Sequence, residues 1–288
     1  SMKLQFTNIF RTDETNIGDS YSTPTKYFDL PGNQKDIFKL DHDYTPPHEN
    51  VIYGGGGLIG QMRPMSHVLR HQKNTNYRIY GWGLGEHMYI CLDEQVQCIP
   101  PMNITYPGYI RSFDLLGLRD HHPHIYQSIP AARWVPCASC MHEAFDKEYE
   151  VKYDIVFFTH ASLPMNVIHG MPPETWDYPH KMNNEINFEE TIEFIASGDI
   201  VVTNSYHGAY WATLLGKVVV VFPWCSKFYG LKHKPLYCPT TDWWKTIQDR
   251  EQRQYKSSLG ECREANINFH KELKEHILNS PRIFKIEV

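Results

Sequence analysis

Nowhere in the 288 residues is there an apolar run approaching the roughly 18–20 that cross a bilayer, and the run Val218 to Pro223 is only strand-sized. A membrane-spanning helix is therefore not expected. A surplus of positive charge is also missing: 28 Lys plus Arg stand against 33 Asp plus Glu, a net charge of −5. Non-specific nucleic-acid binding needs a diffuse positive field, so a nucleic-acid partner is not expected. The seven cysteines are odd in number and irregular in spacing, which fits reduced thiols in a cytoplasmic protein better than a disulfide framework. The opening residues lack the apolar core of a secretion signal, and Ser1 ahead of Met2 reads as a cloning remnant. There is no internal repeat or low-complexity tract. With 41% hydrophobic and 21% charged residues, the chain has the composition of a globular protein, and its length allows two domains.

What is present is a recurring texture. Apolar, β-branched runs occur at Lys3 to Ile9, Val51 to Tyr53, Tyr77 to Tyr80, Asp154 to Thr159, Asp199 to Thr203 and Lys217 to Phe222. Helix-like or loop-like segments separate them, the pattern of α/β layers on a mostly parallel sheet. The clearest unit runs from Phe188 to Phe222. Phe188, Ile192 and Ile195 share one helix face, Gly198 stands as a C-terminal cap, and a strand, a helix over 206–215 stopped by Gly216, and a second strand follow. Ala265, Phe269, Leu273 and Ile277 recur every four residues, the mark of a final amphipathic helix that packs on a neighbour. The texture breaks between Arg119 and Trp134, where His121-His122-Pro123-His124 and Pro130 fall. A domain boundary is expected there, dividing residues 2–128 from 129–288.

Three motifs could carry chemistry. Gly55, Gly57 and Gly60 in Gly54-Gly55-Gly56-Gly57-Leu58-Ile59-Gly60 satisfy the spacing G-x-G-x-x-G after a strand, where backbone amides could meet a phosphate at a helix start. The following strand, Tyr77 to Tyr80, leads into Gly81-Trp82-Gly83-Leu84-Gly85 with no carboxylate at its tip to hold a ribose. A dinucleotide site is thus disfavoured against a packing turn or a ligand loop of another kind. Asn16-Ile17-Gly18-Asp19 lies after the first strand, where an open sheet exposes its ligand crevice. Asp19 is either a general base or sugar-hydroxyl partner, or the cap of a turn ahead of Pro24. Thr203-Asn204-Ser205-Tyr206-His207-Gly208 joins a strand to a helix. His207 falls in the first helical turn, where the dipole favours an anion and a neutral imidazole, and Gly208 could open room for a ligand. The alternative is a cap at Asn204 or Ser205 with His207 as packing.

Other features read as structural. Cys137-Ala138-Ser139-Cys140-Met141-His142 falls short of the four ligands of a structural zinc site, so buried free thiols are expected and no metal site is assigned. His121, His122 and His124 read as an exposed loop, and Asp41-His42-Asp43 before Pro46-Pro47 as a solvated turn. Trp176-Asp177-Tyr178, Trp224 and Trp243-Trp244 are candidates for stacking on sugar rings or for packing.

Taken in order, Asn16-x-Gly18-Asp19, the Gly54 to Gly57 loop, Gly81 to Gly85, Leu118-Arg119-Asp120, Ser205-Tyr206-His207-Gly208 and Leu214-Leu215-Gly216-Lys217-Val218-Val219 resemble the polysaccharide pyruvyl transferase family over residues 8–225. That family is related to GT-B glycosyltransferases. The resemblance implies two Rossmann-like domains facing across a cleft, an acceptor side before residue 129 and a donor side after it, with the last helix crossing back to the first domain. It also implies transfer of pyruvate from phosphoenolpyruvate onto two sugar hydroxyls in building an exopolysaccharide or capsule. His207 and Asp19 would be catalytic, with Asn16, Gly18, Gly55, Gly56, Gly57, Arg119, Ser205, Tyr206 and Gly208 around the substrates. No cofactor is implied beyond the donor; the enzyme is expected in the cytoplasm, or at the inner membrane face where the acceptor is lipid-linked. The family commonly carries Arg-x-His before the late glycine. Here Ser205 takes the Arg position and His207 matches, so Arg119 or Arg133 is the candidate replacement guanidinium. A nucleotide-sugar glycosyltransferase and a non-catalytic glycan-binding protein are the alternative functions.

Overall fold

A computed structural model describes residues 4–61, 66, 68, 70–71, 76–90, 104–163, 177–238, 243–248 and 253–280. Trp176 and the side chain of Trp243 lie outside the described residues. Two all-parallel sheets form the frame. The first contains β1 (Phe6–Phe10), β2 (Gly32–Asp36), β3 (Asn50–Tyr53), β4 (Gly56–Ile59), β5 (Arg78–Glu86), β6 (Leu115–Leu118) and β7 (Ala132–Trp134), in the order β2-β1-β3-β5-β6-β7 with β4 also on β5. The second contains β8 (Tyr153–Thr159), β9 (His180–Met182), β10 (Gly198–Thr203), β11 (Val218–Val221) and β12 (Leu236–Tyr237), in the order β12-β11-β10-β8-β9. Central strands such as Val218–Val221 are buried on both faces, which is why they read as unbroken apolar runs. The expected pair of Rossmann-like α/β lobes is therefore what the chain forms.

Six helices are described: α1 (Ile17–Ser20), α2 (Pro123–Ser128), α3 (Phe188–Ala196), α4 (Tyr206–Leu214), α5 (Trp243–Gln248) and α6 (Ser258–Asn279). On α3, Phe188, Ile192 and Ile195 are buried as their spacing requires, and Asn187 caps the helix by accepting from Glu190 N at 3.0 Å. The cap at the other end is Ser197, not Gly198, which opens β10. A side chain at Gly198 would strike Val156 at 2.8 Å, so that glycine serves sheet packing. Gly216 does end α4, at φ +73.

Two expectations about glycine runs change. The stretch after β3 does not turn into a helix: Gly56–Ile59 stays extended and pairs with β5. The run 81–85 lies inside β5, which continues to a buried carboxylate, Glu86. The His121-to-His124 stretch is half-buried and leads into α2, with Pro123 at its start, rather than forming an exposed loop. Asp41-His42-Asp43 is an exposed turn, as expected. Beyond the expected division at residue 128, β7 still pairs with β6, so the first sheet ends at Trp134.

The final helix straps the lobes together. Phe269, Leu273 and Ile277 of α6 pack with Phe6, Ile52, Tyr80, Trp82 and Leu115 of the first lobe, while Cys262 joins the core of the second. Asn266 is fully buried between them. Its Oδ1 accepts from Trp82 Nε1 at 2.9 Å, and its Nδ2 donates to the carbonyls of Pro136 and Cys262, each at 3.0 Å. Replacing Asn266 by Ala leaves the buried indole N–H without a partner. The expected loss is about 1–3 kcal/mol in a urea titration, with the unfolding slope unchanged.

Candidate active site

In an open parallel sheet the ligand crevice lies beyond the carboxyl ends of the strands. Both sheets here bring those ends to one cleft of about 120 Å³. Arg11, His87, Arg119, His160 and Asn183 each immediately follow a strand, namely β1, β5, β6, β8 and β9, and all line it. The loop after β10 adds Ser205, Tyr206 and His207, and the segment after β11 adds Trp224 and Lys227. Asn16 and Asp19 of the α1 turn, Gly57 of β4, and Phe38 complete much of the wall.

His207 enters from the second lobe and rests on the first. Ser205 is the cap of α4, its hydroxyl accepting from Gly208 N at 3.1 Å, and this fixes His207 in the first helical turn. The imidazole lies against Gly18, where a side-chain carbon would sit 2.3 Å from Nδ1. The glycine of Asn16-x-Gly18-Asp19 is thus required by the opposing ring. Asn16 caps α1 by accepting from Asp19 N at 3.2 Å. Asp19 is therefore not the cap, and its carboxylate faces the cleft and pairs with Arg11 at 3.1 Å.

Arg119 reaches across from the first lobe with its guanidinium carbon 3.9 Å from the centre of the Tyr206 ring. A side chain at Gly85 would come within 1.9 Å of Arg119 Nε, and one at Gly57 within 3.0 Å of Nη2. Those glycines clear the space the guanidinium fills. Arg119 is 3% exposed and its Nε has no hydrogen-bond partner. Lys227, on a 3₁₀ turn over Ser226–Gly230, holds its ammonium 4.5 Å from the centre of the Trp224 ring. Among the described residues neither cation has a carboxylate ion-pair partner. Arg133, the other candidate guanidinium, is paired with Glu272 at 2.9 Å on the surface.

Burial and these charges together set the protonation of the groups around the cleft. Burial, then Lys227 and Arg119, lower His87 to about 3; burial, then Lys227 and Arg11, lower His160 to about 4. Burial and the same two cations, Arg119 and Lys227, hold His207 well below the ordinary imidazole range. All three rings are neutral at physiological pH. Burial also lowers Lys227 to about 8, with Arg119 pushing the same way. Asp19 moves oppositely: burial raises its carboxyl despite Arg11, Lys227 and Arg119. Behind Arg119, burial and the neighbouring Glu86 raise Asp120, which accepts from Tyr106 Oη and Glu86 N, each at 2.8 Å.

Of the residues singled out from sequence, Asn16, Asp19, Gly57, Arg119, Ser205, Tyr206 and His207 meet at this cleft, with Gly18 directly beneath the imidazole. A side chain at Gly56 would come within 3.4 Å of Asp19 Oδ1. A side chain at Gly55 would instead meet the Ser22 carbonyl at 2.8 Å, and one at Gly208 would strike Phe158 and Thr203 at 2.5 and 2.7 Å, so neither clears room for a ligand. Trp224 lines the cleft, whereas Trp244 is exposed on α5 and Tyr178 packs on Phe157. Cys137 and Cys140 are buried free thiols, as expected. Among the described residues no cluster of His, Cys, Asp or Glu is arranged to hold a metal ion. Arg11, His87, His160 and Lys227 carry no motif and were not anticipated from sequence.

Two parallel-sheet lobes facing across such a cleft define a GT-B-type enzyme fold. Over 95% of this chain and 100% of the other, it superposes on the Methanocaldococcus jannaschii UDP-GlcNAc 2-epimerase with a TM-score of 0.52 at 8% identity. The S. aureus MnaA–UDP complex gives 0.52 at 10% identity, over 98% of this chain and 100% of that one. At such identity the likeness speaks to the fold alone. Residues 124–226 match the polysaccharide pyruvyl transferase family, which identifies that stretch as a transferase domain. Comparison with curated proteins gives no match.

An ammonium held in a largely buried site beside a guanidinium weakens the free fold. Lys227→Met is therefore expected to raise the urea stability of the ligand-free protein, by about 1 kcal/mol once solvent screening is counted. Gly85→Ala, which drives a methyl into Arg119, is expected to lower it by about 1–3 kcal/mol in the same titration.

Proposed function

We propose that the protein transfers the pyruvyl group of phosphoenolpyruvate to two hydroxyls of a saccharide, forming a cyclic ketal and releasing phosphate. The observation that carries this reading is the meeting of Arg119, Lys227 and Arg11 at one small cleft that also holds an imidazole and a carboxyl of opposite protonation tendency. A donor bearing a phosphate and a carboxylate needs such cations, and the Arg119 fork suits either anion. Arg119 also answers the Ser205 position. Its guanidinium lies over the adjacent Tyr206, delivered by the first lobe instead of by α4.

Acid and base roles follow from environments that separate two pKa values. Asp19, raised, supplies a proton to the enol methylene, while neutral His207 takes the proton of the first acceptor hydroxyl as its oxygen bonds to the central carbon of the donor. The C–O bond to phosphate then breaks, and the phosphate leaves with the proton that His207 had taken. The second hydroxyl closes the ring on the resulting cation-like carbon and returns its proton to Asp19. Arg119 and Lys227 hold the negative charge that grows on the departing phosphate.

Size favours this donor over a nucleotide sugar. About 120 Å³ falls well below the roughly 300–1,000 Å³ of sites that enclose drug-sized ligands. Among the described residues no helix is long and apolar enough to cross a membrane. We place the reaction in the cytoplasm or at the inner face of the membrane, on an acceptor destined for a surface polysaccharide.

A thermal-shift panel of phosphoenolpyruvate, UDP, GDP, CMP and their sugars tests the reading. Phosphoenolpyruvate is expected to stabilise the protein, by about 2.7 kcal/mol at a hundred times its Kd. Arg119→Met should weaken its binding by roughly 10–100-fold, the loss of one charge-assisted contact. Stabilisation by a nucleotide sugar and not by phosphoenolpyruvate would favour a glycosyltransferase, and no response to either a glycan-binding protein. Lys227 is charged below about 8 and neutral above it. The stabilisation by phosphoenolpyruvate should therefore be full at pH 7 and decline as the pH rises to 9.5. That decline should vanish in Lys227→Met.

A further inference from the structure

Among the described residues the His207 ring has hydrogen-bond partners at one nitrogen only. Its Nε2 lies 3.1 Å from Ser22 Oγ and 3.5 Å from Cys137 Sγ, in a pocket where Ser22 and Cys137 are 1% and 2% exposed. A serine hydroxyl has one proton and two lone pairs. The proton of Ser22 is committed, because Oγ donates to the Gly18 carbonyl at 2.5 Å and a carbonyl can only accept. The Cys137 thiol donates to Ser22 Oγ at 3.4 Å, using one lone pair. What Ser22 offers to Nε2 is its second lone pair. Two facing lone pairs repel, so the 3.1 Å contact is attractive only when Nε2 carries hydrogen.

We infer that Ser22 is a positioning residue that holds neutral His207 as the Nε2–H tautomer, leaving the lone pair on Nδ1, the nitrogen that lies against Gly18. Cys137 is the competing partner. Were its thiol to donate to Nε2 instead, the hydrogen would move to Nδ1 and that nitrogen would be a donor instead of an acceptor. The tautomer is a property of the resting protein, whereas the use of Nδ1 as base rests on the transfer reading above. Neither Asn16-x-Gly18-Asp19 nor Ser205-Tyr206-His207-Gly208 contains Ser22. Its role arises because the turn after α1 folds back so that Ser22 donates to Gly18, the residue on which the ring rests.

The test is the ¹⁵N spectrum of the imidazoles in the 288-residue chain labelled on histidine, at pH 7.5, with His207→Gln used to assign the ring. The expected wild-type pattern is a protonated Nε2 and an unprotonated Nδ1. Ser22→Ala should bring up the Nδ1–H form, and Cys137→Ala should leave the wild-type pattern unchanged. A wild-type ring protonated on Nδ1 overturns the inference. So does a tautomer that responds to Cys137→Ala and not to Ser22→Ala. The wild-type spectrum needs no variant and stands even if Ser22→Ala does not fold. In turnover, Ser22→Ala should lower kcat by at least about tenfold with KM for phosphoenolpyruvate within about twofold, because the base is misprotonated and the anion site is intact. The expected tautomer without any response to phosphoenolpyruvate would uphold the role of Ser22 and remove the transfer reading. Use of phosphoenolpyruvate by a ring protonated on Nδ1 would do the reverse.

Discussion

The contact on which the cleft depends is the Arg119 guanidinium lying over the ring of Tyr206. It joins the end of β6 in one lobe to the start of α4 in the other, so a cation of the first lobe becomes part of the anion-facing end of a helix in the second. Much around it is arranged to permit that reach. Gly85 and Gly57 leave out side chains that would collide with the guanidinium. Asp120 lies behind it, buried and close, and forms no ion pair that would turn the fork away from the cleft. This placement is compatible with Ser205 standing where the resemblance leads one to expect a guanidinium. The charge is delivered by another strand, and Ser205 is free to cap α4.

The same contact sets the chemistry of its neighbours. Burial, reinforced by Arg119 and Lys227, depresses His87 and His207, and burial with Lys227 and Arg11 does the same to His160, so the cleft combines positive charge with neutral rings. A neutral ring can take a proton, which an imidazolium cannot. Positive charge unpaired with carboxylate costs stability in the empty protein and becomes favourable only when an anion arrives. The cleft is therefore preorganised for negative charge at the expense of the free fold, the expected signature of a site shaped by function.

Much of the frame is legible in the sequence because apolar runs and fourfold periodicity report burial directly. The strands at 154–159 and 199–203, the α3 face and the α6 seam all follow from that pattern. Glycine-rich stretches mislead, since a glycine carries no hydrophobic signal and the same spacing suits a phosphate loop or a strand. Gly56–Ile59 and the 81–85 run are strands because β5 has neighbours to pair with, a tertiary fact. Motifs located His207, Asp19 and Arg119, but Arg11, His87, His160 and Lys227 stand alone in sequence. A positional rule was available for Arg11 and His160, polar residues close behind apolar runs in an open parallel sheet. Lys227 offered no such signal, because it follows β11 by six residues and is positioned from the other lobe.

That last dependence shows how assembly and chemistry are linked. The turn carrying Lys227 is held at both ends by the first lobe. Ser226 Oγ donates to Glu86 at 2.7 Å and Ser226 N to the Tyr89 carbonyl at 2.8 Å, while His121 N donates to the Gly230 carbonyl at 2.7 Å. Gly230 has no side chain because Asp120 Oδ1 would lie 3.0 Å from it. Arg119 leans on Tyr206, His207 rests on Gly18, and the turn carrying Lys227 is latched to Glu86 through Ser226, so each of these groups is placed by the lobe opposite its own. No single lobe contains the site. The α6 strap, anchored through Asn266, is therefore more than a stabilising clasp. By fixing the separation of the two sheets it fixes the distance between the cations and the imidazole, and a change that loosens it acts on binding and proton transfer together.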